Sequence, residues 1–261
     1  MNDLKKRVSI LVVVLSMFLL AACGSSGSSD GGPELKNKGE FNYIVSGEFP
    51  PFSSVDKNGN LTGFDVAVGK AVAKELGLKP KPEKFKFHGA ISAIKADRFD
   101  AAVASHTITD DRKKAVNFSE PYYYSGPVIF TRPDSDIKTK EDLKGKEVAV
   151  SKGSTYEKSA QDFTDNIKNY DSDATALRAL SEGKHDAVIT DAITGKQAIE
   201  KGFKIVEQEQ LGTSEQAIAV KKEDKELLKA INKALKKLKE DGTLEKLSKK
   251  YIGADITKKP E

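Results

Sequence analysis

The sequence has one cysteine, three histidines and no tryptophan among its 261 residues. A single thiol cannot form a disulfide within the chain, so the folded core must be stable without one. The histidines and the cysteine do not stand at metal-ligand spacings, and neither a phosphate-binding loop nor a serine–histidine–aspartate arrangement stands out. Metalloproteins, nucleotide hydrolases and serine hydrolases are therefore disfavoured, and we expect neither a metal nor a cofactor.

The chain also has little excess of either charge. Lysine and arginine number 43 against 39 acidic residues, a formal net charge of +4, which calls for no nucleic-acid partner. The lysines concentrate in residues 225–251, where apolar residues recur at helical spacing. This pattern favours two amphipathic helices with solvated lysine faces, broken at Asp241 and Gly242. Weak attraction of these lysines to an anionic membrane surface is the alternative.

The first 22 residues are typical of a secretory signal. A cationic start, "MNDLKKRV", precedes the apolar run "SILVVVLSMFLL", which is shorter than the ~20 residues that a membrane-spanning helix needs. The following "LAAC", residues 20–23, is similar to the lipobox of bacterial lipoproteins. We expect cleavage before Cys23, palmitate-containing lipid on its thiol, and anchoring on the extracytoplasmic face of the bacterial cell membrane. A plain signal peptide with an incidental cysteine is the alternative.

The remaining chain reads as a tether followed by two α/β units. Residues 23–39 are rich in glycine and serine and predict a flexible tether. From residue 40 onward, short strands alternate with helices, which predicts mostly parallel sheets with helices on their faces. In the first unit we expect strands at 41–45, 84–87 and 100–105 and helices at 63–77 and 89–99. The second unit repeats the rhythm at 147–163 and 173–191 and closes with strands at 203–207 and 216–220.

Two strand-like segments, "YYYSGPVIF" and "EQAIAV", lie where the chain would pass between the units. Two crossings make a hinge, and hinged lobes enclose a cleft. We therefore predict two lobes, residues 40–125 plus 217–261 and residues 126–216, with ligands at the carboxyl ends of the strands.

The segment "SHTITDDRKKAVNF" contains the first candidate ligand anchor. Thr109 is a good helix N-cap, and two aspartates suit the positive end of the helix dipole that follows. Arg112 occupies the same first turn, where a cation is disfavoured, but its planar guanidinium matches a carboxylate. Arg112 is thus either a ligand anchor or a surface arginine paired to an acid.

A second anion-friendly turn is "SKGSTYEKSA". Ser154 and Glu157 complete a capping box, and the free amides at the helix start favour a carboxylate or a phosphate. The alternative is that the box satisfies its own donors. Across a cleft from Arg112, it would define a site for a small anion.

Asp191 and several phenylalanines could complete such a site. Asp191 ends the predicted strand "HDAVITD", where it serves either as a ligand's ammonium acceptor or as the cap of the next helix. Phe49 and Phe87 could stack on a ligand or fill the core, and for Phe52 we favour the core.

These stretches together resemble a known family. "GFDVAVGKAVAKELG", "RFDAAVASHTITDDRKKAVNFSEPYYYSG", "DLKGKEVAVSKGST" and "GKHDAVITD" are similar to the extracellular solute-binding proteins of family 3, the receptors of polar amino acid ABC importers. The resemblance runs over about residues 41–253. It implies an α/β, two-lobed periplasmic-binding-protein-like fold of type II that closes like a flytrap across two hinge crossings.

The resemblance also implies roles for single residues. The arginine of the family's "T-x-x-R" motif, here Arg112, grips the α-carboxylate, and the aspartate after the "DAV" strand, here Asp191, takes the α-ammonium. The preceding turn, the second-lobe turn and two aromatics complete the site. The implied ligand-binding residues are Phe49, Phe87, Ser105, Thr107, Arg112, Ser154, Thr155 and Asp191.

Three departures from the family pattern bear on the ligand. Many members carry an acid where this chain has Ser46, while Glu48 stands nearby. His106 interrupts the usual small-apolar pair before the binding turn, and Ser151 replaces a basic or polar residue, with Lys152 adjacent. An acidic ligand side chain thus lacks an evident counter-ion.

The leading hypothesis is a lipid-anchored, monomeric receptor that captures an amino acid and presents it to an ABC permease. The lack of a side-chain counter-ion favours a neutral polar or sulfur-containing amino acid, such as glutamine or cystine. A cyclohexadienyl-dehydratase-like enzyme, for which Glu48 and His106 would be the acid–base candidates, and an amino-acid sensor are the alternatives. We expect that the protein is not an enzyme.

Overall fold

The computed structural model describes residues 33–260. The predicted signal peptide, the predicted lipidated Cys23 and the first part of the predicted tether lie outside these residues. The tether's last residues are fixed to the domain: Leu35 packs against the core, and the Lys36 amide donates a 2.7 Å hydrogen bond to Asp100 Oδ1. Within the described part of the chain, no helix is both long and apolar enough to cross a bilayer.

Strands and helices alternate along the described chain. The strands are β1 Glu40–Val45, β2 Glu48–Phe49, β3 Ser53–Val55, β4 Leu61–Thr62, β5 Lys79–Lys84, β6 Ala101–Thr107, β7 Val116–Phe118, β8 Tyr123–Ser125, β9 Pro127–Thr131, β10 Val148–Ser151, β11 Ile167–Tyr170, β12 Ala187–Asp191, β13 Val206–Gln210 and β14 Ser214–Lys221. The helices are α1 Phe64–Glu75, α2 Phe87–Lys95, α3 Asp110–Lys113, α4 Thr155–Gln161, α5 Asp173–Ser181, α6 Ala192–Glu200, α7 Lys225–Glu240 and α8 Thr243–Ile252, with a 3-10 turn at Lys140–Leu143.

Two larger sheets divide these strands. The first has the order β5-β1-β6-β14-β7, with β8 also pairing to β14; the second has the order β11-β10-β12-β9-β13. In the first sheet, β1 pairs in parallel with β5 and with β6, and β14 pairs antiparallel with β6. In the second sheet, β10 pairs in parallel with β12, and β9 pairs antiparallel with β12. We call each sheet with its helices a lobe, the first and second respectively. This confirms the predicted α/β, two-lobed fold.

Both lobes bury their sheets on two faces. In β1, Phe41, Tyr43 and Val45 point to a core shared with α1, α7 and α8, whereas Ile44 joins a cluster with α2. In the second lobe, one face packs on α5 and α6 and the other on α4. Side chains alternate across a strand, so near-continuous apolar runs are what a sheet covered on both sides requires. The lobes therefore each have their own core.

The second strand of the first lobe differs from the prediction. We predicted residues 84–87, "KFKF", but β5 is Lys79–Lys84, "KPKPEK", and Phe87 begins α2 instead. β5 lies at the sheet edge and pairs only with β1, so the missing amide protons of Pro80 and Pro82 can be tolerated there. The alternation in "KFKF" misled the prediction because the prolines argued against a strand just before it.

The chain crosses between lobes twice, from β8 to β9 and from β13 to β14. The two crossings touch: a Cβ on Gly126 would lie 2.1 Å from the carbonyl oxygen of Gly212. Only glycine permits this approach of two backbones. Ser214 to Gln216 already pair with β8, so the returning chain joins the first sheet at Ser214. The predicted residues at which one lobe ends and the other begins stay a prediction.

Candidate functional site

A cavity lies between the two lobes. It is narrow, with a volume of about 20 Å³. Seven of the eight predicted ligand-binding residues line it: Phe49, Phe87, Ser105, Thr107, Arg112, Ser154 and Thr155. Asp191 is not part of the lining. The structure thus brings residues from both lobes to one place, while their roles in binding stay predictions.

Arg112 is held by backbone carbonyls of both lobes. Its Nη1 donates a 2.9 Å hydrogen bond to Thr107 O, and its Nη2 donates a 3.1 Å bond to Gly153 O across the cleft. The guanidinium also lies 5.6 Å from the centre of the Phe87 ring. Burial lowers the pKa of Arg112 to about 10, which leaves it charged at neutral pH. Among the described residues no carboxylate forms an ion pair with it, so its charge is available to a bound anion.

The local sequence explains why Arg112 points inward. Thr109 caps the short helix α3, and its Oγ1 accepts a 3.2 Å hydrogen bond from the Arg112 amide, as the sequence indicated. This cap fixes the turn that joins β6 to α3, so the side chain of Arg112 folds back over the end of β6. Arg112 is therefore positioned by its own cap and by the strand before it.

The second-lobe turn satisfies most of its own donors. Ser154 Oγ accepts a 3.2 Å bond from the Glu157 amide and donates a 2.6 Å bond to Ser151 O, while Glu157 accepts a 2.7 Å bond from the Gly153 amide. Thr155 Oγ1 instead faces the first lobe, 3.4 Å from Thr107 Oγ1. Of the two predicted hydroxyls, that of Thr155 is the freer to meet a ligand.

Two aromatic side chains form opposite supports of the cavity. Phe49 stacks on Phe52 with ring centres 5.0 Å apart, and Phe52, fully buried, stacks on Tyr123 in turn. Phe87 stacks on His106 at 4.4 Å and 12° between the rings. Both cavity phenylalanines are thus held in place by rings behind them.

His106 is a buried support, outside the cavity lining. Only 1% of its surface is exposed, and its Nδ1 has no hydrogen-bond partner. Burial, and secondarily the charge of Arg112, lowers its pKa well below the usual value. The ring is therefore neutral at physiological pH, and its position explains the departure from the family pattern as a platform beneath Phe87.

An acid that the sequence analysis did not assign holds the binding turn of the first lobe. Asp65, fully buried in α1, accepts a 2.8 Å bond from Ser105 Oγ and a 2.6 Å bond from the Tyr122 hydroxyl. The Tyr122 hydroxyl in turn accepts a 3.1 Å bond from the Ser105 amide. This network holds Ser105 in the left-handed region, at φ +56°. The sequence showed Asp65 only as an acid near a helix start.

Two buried acids of the second lobe lie near the cavity. Asp173, at the start of α5, lines it and accepts a bond from Thr190 Oγ1. Asp191 is fully buried; it caps α6 through the Ile193 and Thr194 amides, and its Oδ2 lies 3.4 Å from the Tyr156 hydroxyl. Burial raises the pKa of both carboxyls to about 6. The helix-cap role foreseen for Asp191 is present, and Asp173 was missed although it is the first residue of the predicted helix–strand segment 173–191.

Direct contacts hold the lobes together around the cavity. Lys86 pairs with Asp171 at 2.9 Å, and Lys158 lies 3.4 Å from Asp111. Thr194 Oγ1 also donates a 3.2 Å bond to Pro50 O. At the mouth, Glu48 lines the cavity and pairs with Lys84 at 2.5 Å. The structure is thus the closed form of the cleft.

The described residues hold no group of three or more histidine, cysteine, aspartate or glutamate side chains arranged for a metal ion. The site's chemistry is that of recognition: one unpaired cation, two buried acids, hydroxyls and aromatic faces. Such a set is complementary to a small zwitterion with an apolar or polarisable body.

Comparison with known proteins agrees with the fold. Residues 41–254 match the sequence model of the bacterial extracellular solute-binding proteins, family 3. The L-cystine-binding protein TcyJ of Escherichia coli (strain K12) is 33% identical over 256 residues, covering 95% of this chain and 96% of that protein.

Solved structures are similar as well. An ancestral arginine-binding protein bound to arginine is 38% identical with a TM-score of 0.79, covering 83% of this chain and 99% of that one. The ancestral amino acid-binding protein AncCDT-1, a precursor of cyclohexadienyl dehydratase, is 35% identical with a TM-score of 0.76, covering 82% and 96%. The relatives thus include proteins for cystine and for arginine, and the comparison leaves this chain's ligand open.

We predict that Asp65 makes the ligand-free protein less stable as the pH rises through the range from 4 to 7. Burial raises the pKa of Asp65 to about 7, above the ~4 of an unfolded aspartate. Between those values the folded state binds the proton more tightly, so the free energy of unfolding falls with rising pH. In Asp65→Asn this contribution is absent. The melting temperature of wild type minus that of Asp65→Asn should therefore decrease from pH 4 to 7.

The matched control is Asp56→Asn. Asp56 is exposed, and hydrogen bonds from the Asn60 and Asn58 amides lower its pKa. Its contribution to stability is complete above pH ~4 and is lost only below, so the corresponding difference should stay flat over the same range. A flat or rising difference for Asp65→Asn would contradict the assignment of Asp65 as a buried carboxyl with a raised pKa.

Proposed function

Because the chain belongs to the bacterial extracellular solute-binding proteins of family 3, we propose that it is a lipid-anchored receptor of an ABC importer that captures an amino acid between its lobes. The observation that carries the proposal is the guanidinium of Arg112, which lies unpaired by any described carboxylate in the interlobe cavity. A ligand's α-carboxylate supplies the missing anion.

The proposed clamp joins both lobes through one small molecule. Arg112 and the Thr107 hydroxyl take the α-carboxylate from the first lobe, while Ser105, whose own donors are used by Asp65 and Tyr122, shapes the turn beside the ligand. Asp191 and Asp173 take the α-ammonium from the second, since both are buried acids with no described cation paired to them. Phe49 and Phe87 pack on the ligand's body, Thr155 adds a hydroxyl donor, and Ser154, whose hydroxyl proton goes to Ser151 O, contacts the ligand without donating to it.

Closure follows from this division of contacts. A ligand that touches both lobes binds the closed form more tightly than the open form and shifts the population toward closure. The permease then distinguishes the closed shape from the open one. In the transport cycle this chain would only bind and release the ligand, without a covalent step. We therefore propose no catalysis.

For the ligand we propose L-cystine. A TcyJ-like ligand is consistent with 33% identity over nearly the full chain, and the mouth of the cavity supports it. There, Glu48 beside Lys84 and Asp171 beside Lys86 offer both signs of charge. Cystine carries a second zwitterionic end that meets both signs, whereas the side chain of arginine or glutamate meets only one. Glutamine, which has no charge at this end, is the second candidate.

The first experiment identifies the ligand. Dye-based thermal shifts of refolded, ligand-free protein are measured against the 20 amino acids, cystine and their common analogues; a dye is needed because the chain has no tryptophan. Ligand at about 100 times its dissociation constant adds roughly 2.7 kcal/mol of stability, and we expect the largest shift with L-cystine. A shift with arginine or glutamate alone would overturn the choice of ligand, and no shift with any would overturn the receptor proposal. Product formation from prephenate or arogenate would reveal the enzyme alternative.

Arg112→Ala should abolish binding. It removes the charged donors for the carboxylate, and hydrogen bonds to charged groups are each worth about 1.5–3 kcal/mol, so we expect at least a ~100-fold loss of affinity by calorimetry. The melting temperature of the ligand-free protein should change by only a few degrees. Arg98→Ala, which removes an exposed arginine outside the cavity, is the control and should bind normally. Normal binding by Arg112→Ala would mean that another group anchors the carboxylate.

Asp191→Asn and Asp173→Asn test the ammonium site. Asparagine keeps an acceptor for the cap of α6, so Asp191→Asn removes charge while the capping oxygen stays. Losing a charged acceptor should weaken binding at least ~10-fold in each variant. Exposed Asp165→Asn is the control for loss of a second-lobe acid. If neither cavity variant weakened binding, the two acids would not hold the ammonium; an effect of Asp173→Asn alone would move the role from Asp191 to its neighbour.

A further inference from the structure

One face of α7 carries a row of lysines. Lys225, Lys229, Lys233 and Lys236 are all exposed, and we call them the lysine stripe. At 3.6 residues per turn they fall within ~80° of the helix circumference and extend over ~16 Å of its axis. The stripe therefore presents four positive charges in one direction.

The charges of the stripe are poorly neutralised. Lys236 lies 3.8 Å from Glu240 at the end of the helix, and the other three lysines form no ion pair with any described residue. Glu226 borders the stripe, and on the neighbouring α1 the carboxylate of Glu75 is taken by Lys237 at 2.6 Å. Glu120 lines a surface pocket with Lys233 and Lys236 but forms an ion pair with neither. The stripe therefore keeps an excess of positive charge over the acids beside it, which suits an anionic partner.

The described chain begins beside this helix. Pro33 and Leu35 line a surface groove together with Ala230, Lys233 and Lys237 of α7. Leu35 is also packed against the core, so this end is fixed. The segment that precedes Pro33 therefore joins the domain next to the stripe.

The length of the preceding segment adds a constraint. Nine residues, "GSSGSSDGG", lie between Cys23 and Pro33. A chain of that length reaches at most ~35 Å, whatever conformation it adopts. Whatever surface holds Cys23 thus stays within a short reach of α7.

We propose that the lysine stripe docks the domain on an anionic lipid bilayer. A lysine near an anionic bilayer strengthens binding about fivefold, so four give a modest but additive attraction. The short tether keeps that surface at high effective concentration, which makes weak contacts persist. The tethered part of the argument rests on the lipid anchor of the proposed function; the stripe's own affinity for the bilayer does not.

The test uses the protein from Cys23 onward, coupled through its single thiol to a maleimide lipid. Residues 33–261 form a compact unit by themselves and every described strand and helix starts at Glu40 or later, so the fold is retained. Vesicles of phosphatidylglycerol with phosphatidylcholine are compared with vesicles of phosphatidylcholine alone. Lysine acetylation is followed residue by residue with mass spectrometry. Chemical coupling makes the result independent of whether Cys23 is lipidated in the cell.

We expect the stripe to be labelled several-fold more slowly on the anionic vesicles, while exposed second-lobe lysines are labelled equally on both. Replacing the stripe by glutamine should remove at least ~10-fold of the binding of uncoupled protein to anionic vesicles at low salt. The matched control replaces four exposed second-lobe lysines, Lys138, Lys144, Lys201 and Lys204.

Two results would overturn the proposal. Equal labelling of the stripe on both kinds of vesicle would make it a solvated face. An equal loss of binding in the stripe and control variants would attribute binding to net charge alone. Ligand-induced thermal shifts, measured on both variants, should be unchanged, so a failure of the receptor proposal would be visible separately.

Discussion

A half-buried cation that no described carboxylate pairs with is the constraint around which the site is organised. Arg112 is partly removed from water, and its hydrogen-bond acceptors are the backbone carbonyls of Thr107 and Gly153. Carbonyl dipoles compensate only part of the cost of burying a charge. The buried acids Asp65, Asp173 and Asp191 stand apart from it, each retained by hydroxyl or amide donors. The positive charge of Arg112 and the three buried acids are thus kept separate, and none of the acids forms an ion pair with it.

The cost of this separation is visible in the acids. All three have raised pKa values because burial penalises the charged carboxylate. Pairing one of them with Arg112 would relieve both penalties and close the site permanently. Two of the direct contacts between the lobes, Lys86–Asp171 and Lys158–Asp111, are exposed ion pairs, which contribute little stability in water. The other direct contacts described above are hydrogen bonds that involve Arg112, Thr155 and Thr194.

Much of this arrangement could be predicted from local patterns. The apolar runs of β6 and β12 predict strands. The N-cap at Thr109 and the capping box at Ser154 predict helix starts, and the structure contains all four. The pattern failed where tertiary context decides: "KPKPEK" is a strand only because it lies at a sheet edge. Seven of the eight predicted ligand-binding residues line the cavity, because strand ends and helix starts are local features.

Contacts between residues that are far apart in the chain could not be predicted from the sequence. Asp65 and Ser105 meet across 40 residues, and nothing near Asp65 distinguishes it from an ordinary helix-start acid. His106 could be identified as a departure, but its role under Phe87 depends on the packing of α2 against β6. Asp173 was correctly predicted to begin a helix, and that role gave no reason to expect a second one. It lines the cavity only because the second lobe lies against the first.

The strand order of the first lobe has a consequence for how the chain acquires its structure. β14 lies in the middle of that sheet, yet it is the last strand of the sequence. All five strands of the second lobe are present once the chain has reached Gln210. The part of the chain that is made first must therefore wait, with β6 exposed along one edge, until the part made last arrives. The inserted lobe can fold as a unit in the meantime, and a chain interrupted before Ser214 would contain one complete sheet and one open edge.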